Sequence, residues 1–563
     1  MIISNTNKGI YFAWRNKDKV RESEVIPFSD YPPYFYIKES AFRPDRIFKN
    51  DKWKNSKVYS IQYEEGEWYN LDGEKLVKVI CNHPSEIKVI SKEMAENYNT
   101  QTYEADIQYH YRASIDKFKT NVYHEYDMRK WYWDMEWQQG GEHNGKITCI
   151  SCYDNYDDEY ILYSWFPSDE LYNRDTPVID TDSQITTMEF QDEEMLLRTF
   201  INYCAAKDPD MLIAWFGNRF DLPKLLERCA FYNIDARLLS PVLQVSNYVY
   251  SARDSKFNRD FFGPKEQPIK GRIVVSLELA FERQWIDSQR GTLPTLSLDY
   301  VSETILGNKK LVSEKFPEKN EFFRRAWEED TDTYLKYALI DVDLIRKIDE
   351  NNNLTEAITS LQRILKAPFE ACFYATHMAS IYFMRNASWK APTGGKREGQ
   401  DYEGALIYDP TTEETNGLHL NVAAFDFAGL YPSMMIARNI SWETKSIEPT
   451  EFAVNIATPR DFSPVENYNM LYYKTDKLGL LPRSVMELKT LRNQYKTNMK
   501  NASSKEEKDK WNNNQLAVKR LMASFYGIVG NEGFGWADID LAASITASSR
   551  EAIRAAAFKV REL

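Results

Sequence analysis

The chain has 563 residues, 43% hydrophobic and 28% charged, which is enough for several packed domains and excludes wholesale disorder. The formal net charge of −13 argues against a uniformly basic nucleic-acid-binding protein, and six cysteines are too few to suggest a disulfide framework. The sequence shows neither a basic and apolar leader nor an apolar run of bilayer length, so we expect a cytoplasmic protein with no membrane partner.

The order of the predicted elements indicates an α/β multidomain protein. Short strand-like runs between polar residues indicate a mixed or β-rich domain over 1–122. Strand-like runs that alternate with helices indicate an α/β domain over 123–350. Helices, a loop-rich stretch and a strand with the sequence HLNVAAFDF follow within 351–476. Two long helices joined by the turn NASS predict a helical hairpin over 477–530, and a further helix follows within 531–563.

Positive charge is concentrated near the end of the sequence. The segment from Lys477 to Arg520 contains eleven Lys and Arg residues against four Asp and Glu residues. Such a segment suits a polyanion, but an ordinary solvated helix surface explains the charge equally well.

Three segments carry acidic residues at positions that the secondary structure places on one face or at a helix start. Asp134 and Glu136 are two apart on a predicted strand and share a face, where they repel unless a divalent cation lies between them. This fragment alone favours the alternative of solvated acids at a strand edge. Asp221 stands at the start of an amphipathic helix, where acids are common. Tyr337 and Asp341 share a helix face, as an ordinary exposed acid also would.

Taken in order, these segments resemble the three proofreading exonuclease motifs of family B DNA polymerases, which are DxE, Nx(1–3)FD and YxxxD. The matching strings are Asp134-Met135-Glu136, Asn218-Arg219-Phe220-Asp221 and Tyr337-Ala338-Leu339-Ile340-Asp341. The resemblance implies an RNase H-like 3′–5′ exonuclease domain over 123–350. It further implies that two Mg²⁺ ions, or alternatively Mn²⁺, bind to Asp134, Glu136, Asp221 and Asp341, and that Tyr337 orients the attacking water.

The string VAAFDFAGLYPSMM is the most specific signal in the chain. A strand is predicted to end at Asp426, and the backbone N–H groups of the following turn, Ala428-Gly429-Leu430, can hold a triphosphate. Tyr431 then offers a flat aromatic wall, with a buried core tyrosine as the alternative. The string resembles motif A of the family, DxxSLYPS, with Gly429 in place of the usual Ser. The resemblance implies that Asp426 is one of two aspartates that bind the catalytic ions, and that Tyr431 rejects a ribose 2′-OH.

The helical hairpin carries a cationic stripe. Arg492 and Lys496 are four apart on its first helix, and Gln515, Lys519 and Tyr526 share one face of its second helix. Such a stripe suits a triphosphate, and a salt-bridged solvent face is the alternative.

Further strings in this part of the chain resemble the fingers of family B polymerases. QLAVKRLMASFYG resembles motif B, KxxxNSxYG, at Lys519, Tyr526 and Gly527, with Ala523 where the family has Asn. Arg492 and Lys496 match the family pattern RxxxK. The residues implied to bind the nucleotide are Ala428, Gly429, Leu430, Tyr431, Arg492, Lys496, Lys519, Ala523 and Tyr526. The run Tyr402-Glu403-Gly404-Ala405 resembles the loop YxGG/A, so Tyr402, Gly404 and Gly527 are implied to contact DNA.

The family needs a second catalytic Asp in motif C, YxDTD, and nothing after Gly527 matches it. Two earlier look-alikes, Asp180-Thr181-Asp182-Ser183 and Asp330-Thr331-Asp332, lie in polar stretches of the exonuclease region and are rejected. The resemblance thus implies an N-terminal domain over 1–122, a partial palm over 351–476 and 531–563, and fingers over 477–530. Either the polymerase is split, with a second polypeptide that supplies motif C and the thumb, or the chain is truncated.

The expected function is that of a DNA polymerase subunit with a proofreading exonuclease in the cytoplasm of a prokaryotic or virus-infected cell. Its expected partners are primer–template DNA, deoxynucleoside triphosphates and the second polypeptide, and the participation of a sliding clamp stays open. A stand-alone 3′–5′ exonuclease whose palm and fingers only bind DNA is one alternative. A non-catalytic replication scaffold is another.

Overall fold

The computed structural model describes residues 1–42, 62–118, 127–172, 174–246, 266–287, 291–394, 401–406, 417–465 and 468–562. Its strands are β1 (Ile2–Thr6), β2 (Gly9–Arg15), β3 (Arg21–Pro27), β4 (Tyr34–Lys38), β5 (Gln62–Tyr69), β6 (Lys75–Ile80), β7 (Thr102–Tyr103), β8 (Lys130–Trp137), β9 (Ile147–Asp154), β10 (Glu159–Trp165), β11 (Gln184–Phe190), β12 (Met211–Ala214), β13 (Ile273–Ser276), β14 (Lys445–Ser446), β15 (Phe452–Asn455) and β16 (Met470–Tyr473).

Its α-helices are α1 (Pro84–Tyr98), α2 (Tyr109–Lys117), α3 (Glu193–Lys207), α4 (Asp221–Phe231), α5 (Leu277–Asp287), α6 (Leu298–Leu306), α7 (Lys319–Glu329), α8 (Thr331–Asn352), α9 (Leu354–Leu365), α10 (Ala375–Asn386), α11 (Leu430–Ala437), α12 (Leu480–Asn501), α13 (Lys505–Val529) and α14 (Ile539–Glu562). Within the described ranges, no helix combines the length and the apolar character that crossing a bilayer requires.

The first of two compact units comprises residues 1–27, 120–362 and 368–374. It contains the sheet β1-β2-β3 and a six-stranded sheet in the order β11-β10-β9-β8-β12-β13. Strand β9 is antiparallel to both of its neighbours, β8 and β10, whereas β12 is parallel to both β8 and β13, and β11 is parallel to β10. Strand β8 is therefore central, with a hydrogen-bonded neighbour on each side.

Side chains of β8 alternate between two helical layers. Trp131 and Trp133 point to one face, where Trp133 stacks on Phe200 of α3 at 5.9 Å between ring centroids. Tyr132 points to the other face and donates a hydrogen bond of 2.7 Å to Asp349 of α8. Because successive strand residues alternate, Asp134 and Glu136 share the face of Tyr132 and lie beneath α8. The alternative of solvated acids at a strand edge is therefore wrong.

The second unit comprises residues 28–119, 363–367 and 375–563. Its four-stranded antiparallel sheet has the order β5-β6-β4-β7, and a three-stranded sheet has the order β14-β16-β15. Helix α1 covers one face of the larger sheet because its apolar residues recur at helical spacing. The buried cluster between them contains Phe35, Ile37, Val77, Val79, Cys81, Ile87, Ile90 and Met94.

The helical hairpin predicted from the sequence is confirmed as α12 and α13. The chain turns at residues 502–504, and the Ser504 hydroxyl accepts a 3.1 Å hydrogen bond from the Glu507 N–H, which caps α13. Val518, Leu521 and Phe525 form the buried face of α13, and Phe525 packs on Phe383 of α10 at 4.6 Å between ring centroids.

The predicted strand HLNVAAFDF is wrong: its residues belong to no strand, and residues 422–427 have no regular secondary structure. The side chains of Leu418, Leu420, Val422 and Phe425 are 90%, 78%, 73% and 88% exposed. A strand is stable only when a neighbouring strand pairs with its N–H and C=O groups, and none of the described strands does so. The apolar content of the segment therefore does not suffice to form a strand here.

The α/β multidomain class predicted from the sequence is confirmed. The division into five regions stays a prediction, and its boundary at residue 122 lies outside the described residues.

Candidate active sites

A cluster of carboxylates lies between β8 and α8 in the first unit. Asp134 and Glu136 of β8 and Asp341 of α8 each offer one oxygen, and these oxygens all lie within 4.8 Å of one another. Three carboxylates at this separation repel strongly unless a cation neutralises them. Hard divalent cations such as Mg²⁺ and Mn²⁺ prefer oxygen ligands of this kind.

Hydrogen bonds between α8 and β9 determine which turn of the helix faces Asp134. The hydroxyl of Ser151 on β9 donates to the Ala338 carbonyl at 2.8 Å, and the hydroxyl groups of Thr148 and Tyr334 lie 2.7 Å apart. Ser151 is the cross-strand partner of Asp134. The contact to Ala338 therefore places Asp341, one turn further along α8, above the pair of acids on β8.

Asp221 is the first residue of α4 and is 5% exposed. The preceding segment is held by Ser276, whose hydroxyl accepts a 2.8 Å hydrogen bond from the Asn218 N–H. After burial itself, the charge of Asp221 is the largest influence that raises the pKa of Asp134. The group of three acids within 4.8 Å of one another does not include Asp221, whose charge acts on Asp134 from nearby.

Burial raises the pKa of every acid in the cluster, and repulsion from the neighbouring acids adds to it at Asp134 and Glu136. The pKa of Asp134 lies well above its usual range, because of burial first and then Asp221, Glu136 and Asp341. Burial raises the pKa of Glu136 to about 8, with Asp341 the next cause, and raises that of Asp221 to about 7. Without a cation, the cluster therefore retains protons near neutral pH, and a bound divalent ion would displace them.

The donor set fits a divalent ion on one further observation. Asp341 is 1% exposed, yet its Oδ1 atom is buried without a hydrogen-bond partner. A buried carboxylate oxygen without a partner costs about 1–3 kcal/mol or more, and a cation ligated by the cluster would satisfy it. Asp134, Glu136, Asp221 and Asp341 are the residues that would hold such ions.

Sequence reasoning did not find Lys310, which lies between α6 and α7. Its Nζ donates to the Oδ2 atom of Asp341 and to the Tyr337 hydroxyl, the latter at 3.0 Å. Burial acts to lower the pKa of Lys310, but Asp341 and Asp134 outweigh it and raise that pKa overall. The sequence signal was only a pair of adjacent lysines in a short connecting segment, which is too common to indicate a site.

This electrostatic arrangement predicts how stability depends on pH and metal. The native acids bind protons more tightly than unfolded ones, so the free energy of unfolding of the metal-free protein should fall as pH rises from about 5 to 8. One pKa unit corresponds to about 1.4 kcal/mol, and we expect a fall on the order of 3 kcal/mol. Added Mg²⁺ or Mn²⁺ should raise Tm more at pH 8 than at pH 5.5.

Calorimetry of the wild type and of Glu136→Gln, each with and without the ions, checks this dependence. The variant should show a shallower fall of Tm with pH and a smaller response to the ions. A wild-type Tm that rises from pH 5 to 8 without metal would contradict the raised pKa values.

The residues predicted around the nucleotide lie in the second unit. Asp426 and the turn of Ala428 and Gly429 are exposed, and Gly429 adopts the left-handed conformation, φ 69°, at the N-terminus of α11. The rings of Tyr431 and Tyr526 stack with 4.1 Å between centroids. Tyr431 is half-buried rather than a core residue, so the alternative of a core tyrosine is wrong.

The hairpin brings Arg492 of α12 against α13, where its Nε donates to the Gln515 side chain at 3.2 Å. Lys496 is half-buried, whereas Lys519 and Ala523 are exposed. Ala523 has no polar atom beyond the backbone, so it cannot make the side-chain hydrogen bonds that Asn makes at this position in the family motif. Among the described contacts, Arg492 is the one predicted nucleotide-binding residue whose side chain forms a hydrogen bond with Gln515.

Arg550 of α14 holds the predicted DNA-contacting loop through hydrogen bonds. This arginine is fully buried and donates hydrogen bonds to the carbonyl groups of Glu403 at 2.7 Å and Gly404 at 2.5 Å. The hydroxyl of Thr546 also donates to the Glu403 carbonyl at 2.7 Å. Sequence reasoning missed Arg550, because an arginine within a helix does not reveal what it binds. Gly527 on α13 is exposed.

The surroundings of Asp426 differ from those of the carboxylate cluster. Within the described ranges, the sole group of three or more His, Cys, Asp and Glu residues able to hold an ion is that of Asp134, Glu136 and Asp341. Asp426 is thus not part of such a group there.

The carboxylate cluster lies in the first unit, and the basic helical hairpin lies in the second. Two family models match large parts of this chain. The model "DNA polymerase family B, exonuclease domain" matches residues 66–286, and the model "DNA polymerase family B" matches residues 308–562. The chain belongs to DNA polymerase family B.

Relatives and solved structures extend this result. A DNA polymerase of Thermococcus sp. (strain 9oN-7) is 25% identical over 95% of this chain and 64% of that protein. The DNA polymerase delta catalytic subunit of Plasmodium falciparum is 27% identical over 65% of this chain and 33% of that protein. The family B polymerase structure from Pyrobaculum calidifontis has the same fold, with a TM-score of 0.72 and 18% identity over 100% of this chain and 71% of that one. The chain therefore spans less than two thirds of the length of the Thermococcus and Plasmodium polymerases.

Proposed function

We propose that the chain is a subunit or portion of a DNA-directed DNA polymerase, that it removes nucleotides from the 3′ end of DNA, and that it needs a second polypeptide for synthesis. The observation that carries the nuclease function is the cluster of Asp134, Glu136 and Asp341, with Asp221 beside it, whose ionised forms are disfavoured unless a cation compensates them. Two divalent ions bound there would activate a water and stabilise the leaving 3′ oxygen of a phosphodiester.

The side chains of the protein itself position the reactants. Tyr337 and Lys310 lie together at the edge of the cluster, so the hydroxyl of Tyr337 can orient a water while Lys310 supplies a positive charge toward the phosphate. Phe220 lies beside Asp221 in the chain and is 54% exposed, which suits stacking on a terminal base.

The proposal is tested on a labelled primer–template with Mg²⁺, with and without deoxynucleoside triphosphates. The wild-type chain should shorten the primer, Asp134→Ala should not, and neither should extend it. A wild-type chain that leaves the primer intact would refute the nuclease function.

Lys310→Met should lower the exonuclease rate about 10- to 100-fold, because the charge toward the phosphate and the hydrogen bond to Tyr337 are both lost. The matched control is Lys309→Met, since Lys309 is 65% exposed and pairs with Glu303 outside the cluster. Single-turnover rates of 3′-nucleotide release measure both. Equal exonuclease rates for Lys310→Met and the wild type would exclude the proposed role of Lys310 in the exonuclease reaction.

The need for a second polypeptide is supported by the surroundings of Asp426. Transfer of a nucleotide by two ions requires more than one carboxylate, and the described residues place no group of such ligands around Asp426. The neighbouring segment exposes Leu418, Leu420, Val422 and Phe425, an apolar patch that suits burial against another strand. We infer that a strand with acidic residues pairs here and that the thumb comes from the same polypeptide.

A stand-alone exonuclease is the second candidate, since Asp426 lacks such a group of ligands. The stacked Tyr431 and Tyr526 and the basic hairpin count against it, because a pure exonuclease has no use for a nucleotide site. The buried acidic cluster counts against a non-catalytic scaffold.

A further inference from the structure

Arg550 is a fully buried cation whose guanidinium contacts the backbone carbonyl groups of two chain segments. It donates hydrogen bonds to Glu403 at 2.7 Å and to Gly404 at 2.5 Å in the predicted DNA-contacting loop, which comprises residues 402–405. It also donates to the Thr458 carbonyl at 2.7 Å, in the segment that follows β15. One side chain therefore fixes the loop to the segment that follows β15.

The two loop carbonyl groups determine where the N–H groups of the loop point. All described peptide bonds are trans, and in a planar trans peptide the C=O and the following N–H point in opposite directions. Because both carbonyl oxygens converge on the Nη1 atom of Arg550, the N–H groups of Gly404 and Ala405 point away from the guanidinium. Among the described residues neither N–H donates to a protein group, and Ala405 is exposed. Successive N–H groups on one side of the chain are the donors of anion-binding sites.

Arg460 supplies a positive charge beside Gly404. Its Nη2 lies 3.8 Å from the position that a Cβ on Gly404 would occupy, and its Nε donates to the Ala405 carbonyl at 3.3 Å. It also pairs with Glu403 at 3.7 Å, but the two side chains are 46% and 62% exposed, so this pair contributes little and a phosphate can replace the carboxylate. Guanidinium and backbone N–H groups are the donors that proteins use for phosphate oxygens of DNA.

Contacts of Tyr402 place the loop next to the predicted nucleotide-binding tyrosines. Its ring packs on Gly530, where an added Cβ would lie 2.7 Å from the Tyr402 hydroxyl. Gly530 comes four residues after Tyr526 at the end of α13, so the two lie on the same face, and the Tyr526 ring stacks on Tyr431. The DNA strand that pairs with a nucleotide held by these tyrosines must pass beside the loop, which favours a template phosphate over a small free anion as the ligand.

We propose that Arg550 is a positioning residue of a phosphate site: it holds the loop so that the N–H groups of Gly404 and Ala405, together with Arg460, bind a phosphate of the template strand. This inference rests on the proposed polymerase function. Arg460 touches the phosphate directly, whereas Arg550 acts through the loop. The effect of losing Arg460 should therefore depend on whether Arg550 is present.

The test is a double-mutant cycle on the affinity of the full chain for a fluorescent primer–template. Binding is followed by anisotropy in EDTA, at several salt concentrations, for the wild type, Arg550→Met, Arg460→Gln and the double variant. Arg460→Gln should weaken binding about 5-fold and lower the slope of log affinity against log salt by about 1, because one phosphate contact is lost. Arg550→Met should weaken binding about 10-fold with the same change of slope. The double variant should be no weaker than Arg550→Met, since the phosphate no longer reaches Arg460 in either.

Arg385→Met is the matched control, because Arg385 lies in the same unit and its guanidinium also donates to carbonyl groups, none of them in the loop. Its acceptors are the carbonyl groups of Ser114 at 3.1 Å, Lys366 at 3.4 Å and Leu365. This variant should lower Tm and leave both the DNA affinity and the salt slope unchanged.

Arg550→Lys separates positioning from charge, because an ammonium keeps the charge but lacks the fork that binds several carbonyl groups. It should bind DNA as weakly as Arg550→Met, and recovery of wild-type affinity would overturn the inference. A wild-type salt slope in Arg550→Met, or additive losses in the double variant, would overturn it as well. If Arg550→Met does not fold, Arg460→Gln decides, and wild-type affinity and slope in that variant would contradict the site. A wild type that does not bind primer–template would instead refute the polymerase function itself.

Discussion

Replacing Asp134 and Glu136 together by Asn and Gln is expected to slow 3′-nucleotide release at least about 10³-fold and, at pH 8 without metal, to raise Tm. Both acids offer oxygens to the same space, so the double variant removes two ligands and two charges with little change of shape. Loss of ion ligands removes the stabilisation of the leaving oxygen, an electrostatic contribution that is usually the largest single one.

The opposite sign of the stability change follows from the pKa values. Burial and the neighbouring acids raise the pKa of both side chains. At pH 8 these acids are ionised in the unfolded chain, whereas the folded protein disfavours their ionised forms, so both lower the free energy of unfolding. Neutral amides do not meet this penalty. A variant that is less active and more stable is therefore the signature of a functional acid cluster, whereas a structural pair would lose stability on substitution.

Asp332→Asn is the matched control, because Asp332 lies at the start of the same helix as Asp341 but is 76% exposed and pairs with Arg174. Its exonuclease rate should stay within about 2-fold of the wild type, as surface ion pairs contribute little. Single-turnover release of a labelled 3′ nucleotide and calorimetry supply the two measurements. Activity above one tenth of the wild-type rate in the double variant would mean that other side chains hold the ions.

The carboxylate cluster was predictable because its spacing is local. A separation of two residues on a strand and of four on a helix fixes which side chains share a face. The order of the three motifs along the chain then indicated that their acids belong to one site. What the sequence did not reveal depends on packing between distant segments. Lys310 reaches Asp341, and Arg550 reaches the carbonyl group of Gly404, only after several elements have assembled.

The error at HLNVAAFDF has a different physical origin. Its apolar residues were interpreted as a strand, but a strand is a property of two segments that share hydrogen bonds, and the described residues provide no second segment. The same exposure that refuted the strand prediction led to the inference of a partner. The identities of Tyr431, Arg492 and Lys519 as nucleotide-binding residues stay predictions, supported by the stacked tyrosines and the hairpin geometry.

The chain alone is expected to show no primer extension, and addition of the completing polypeptide is expected to raise extension at least about 10³-fold. Asp426 by itself cannot clamp two ions, so the attacking 3′ hydroxyl and the triphosphate would be bound without the charge that transfer requires. A partner strand that pairs with residues 418–427 would bury the exposed Leu420 and Phe425 and place its own acids beside Asp426.

Two variants separate docking from catalysis. Asp426→Ala should abolish extension in the assembly while the complex still forms, since the change removes a ligand and no apolar contact. Phe425→Asp should weaken the complex, measured by sedimentation, because it introduces a charge into the buried patch. Both variants should keep the exonuclease rate of the wild type, because the acidic cluster lies in the other unit. Extension by the purified chain without any partner, abolished by Asp426→Ala, would mean that another carboxylate of this same chain completes the site, and the second polypeptide would then be unnecessary.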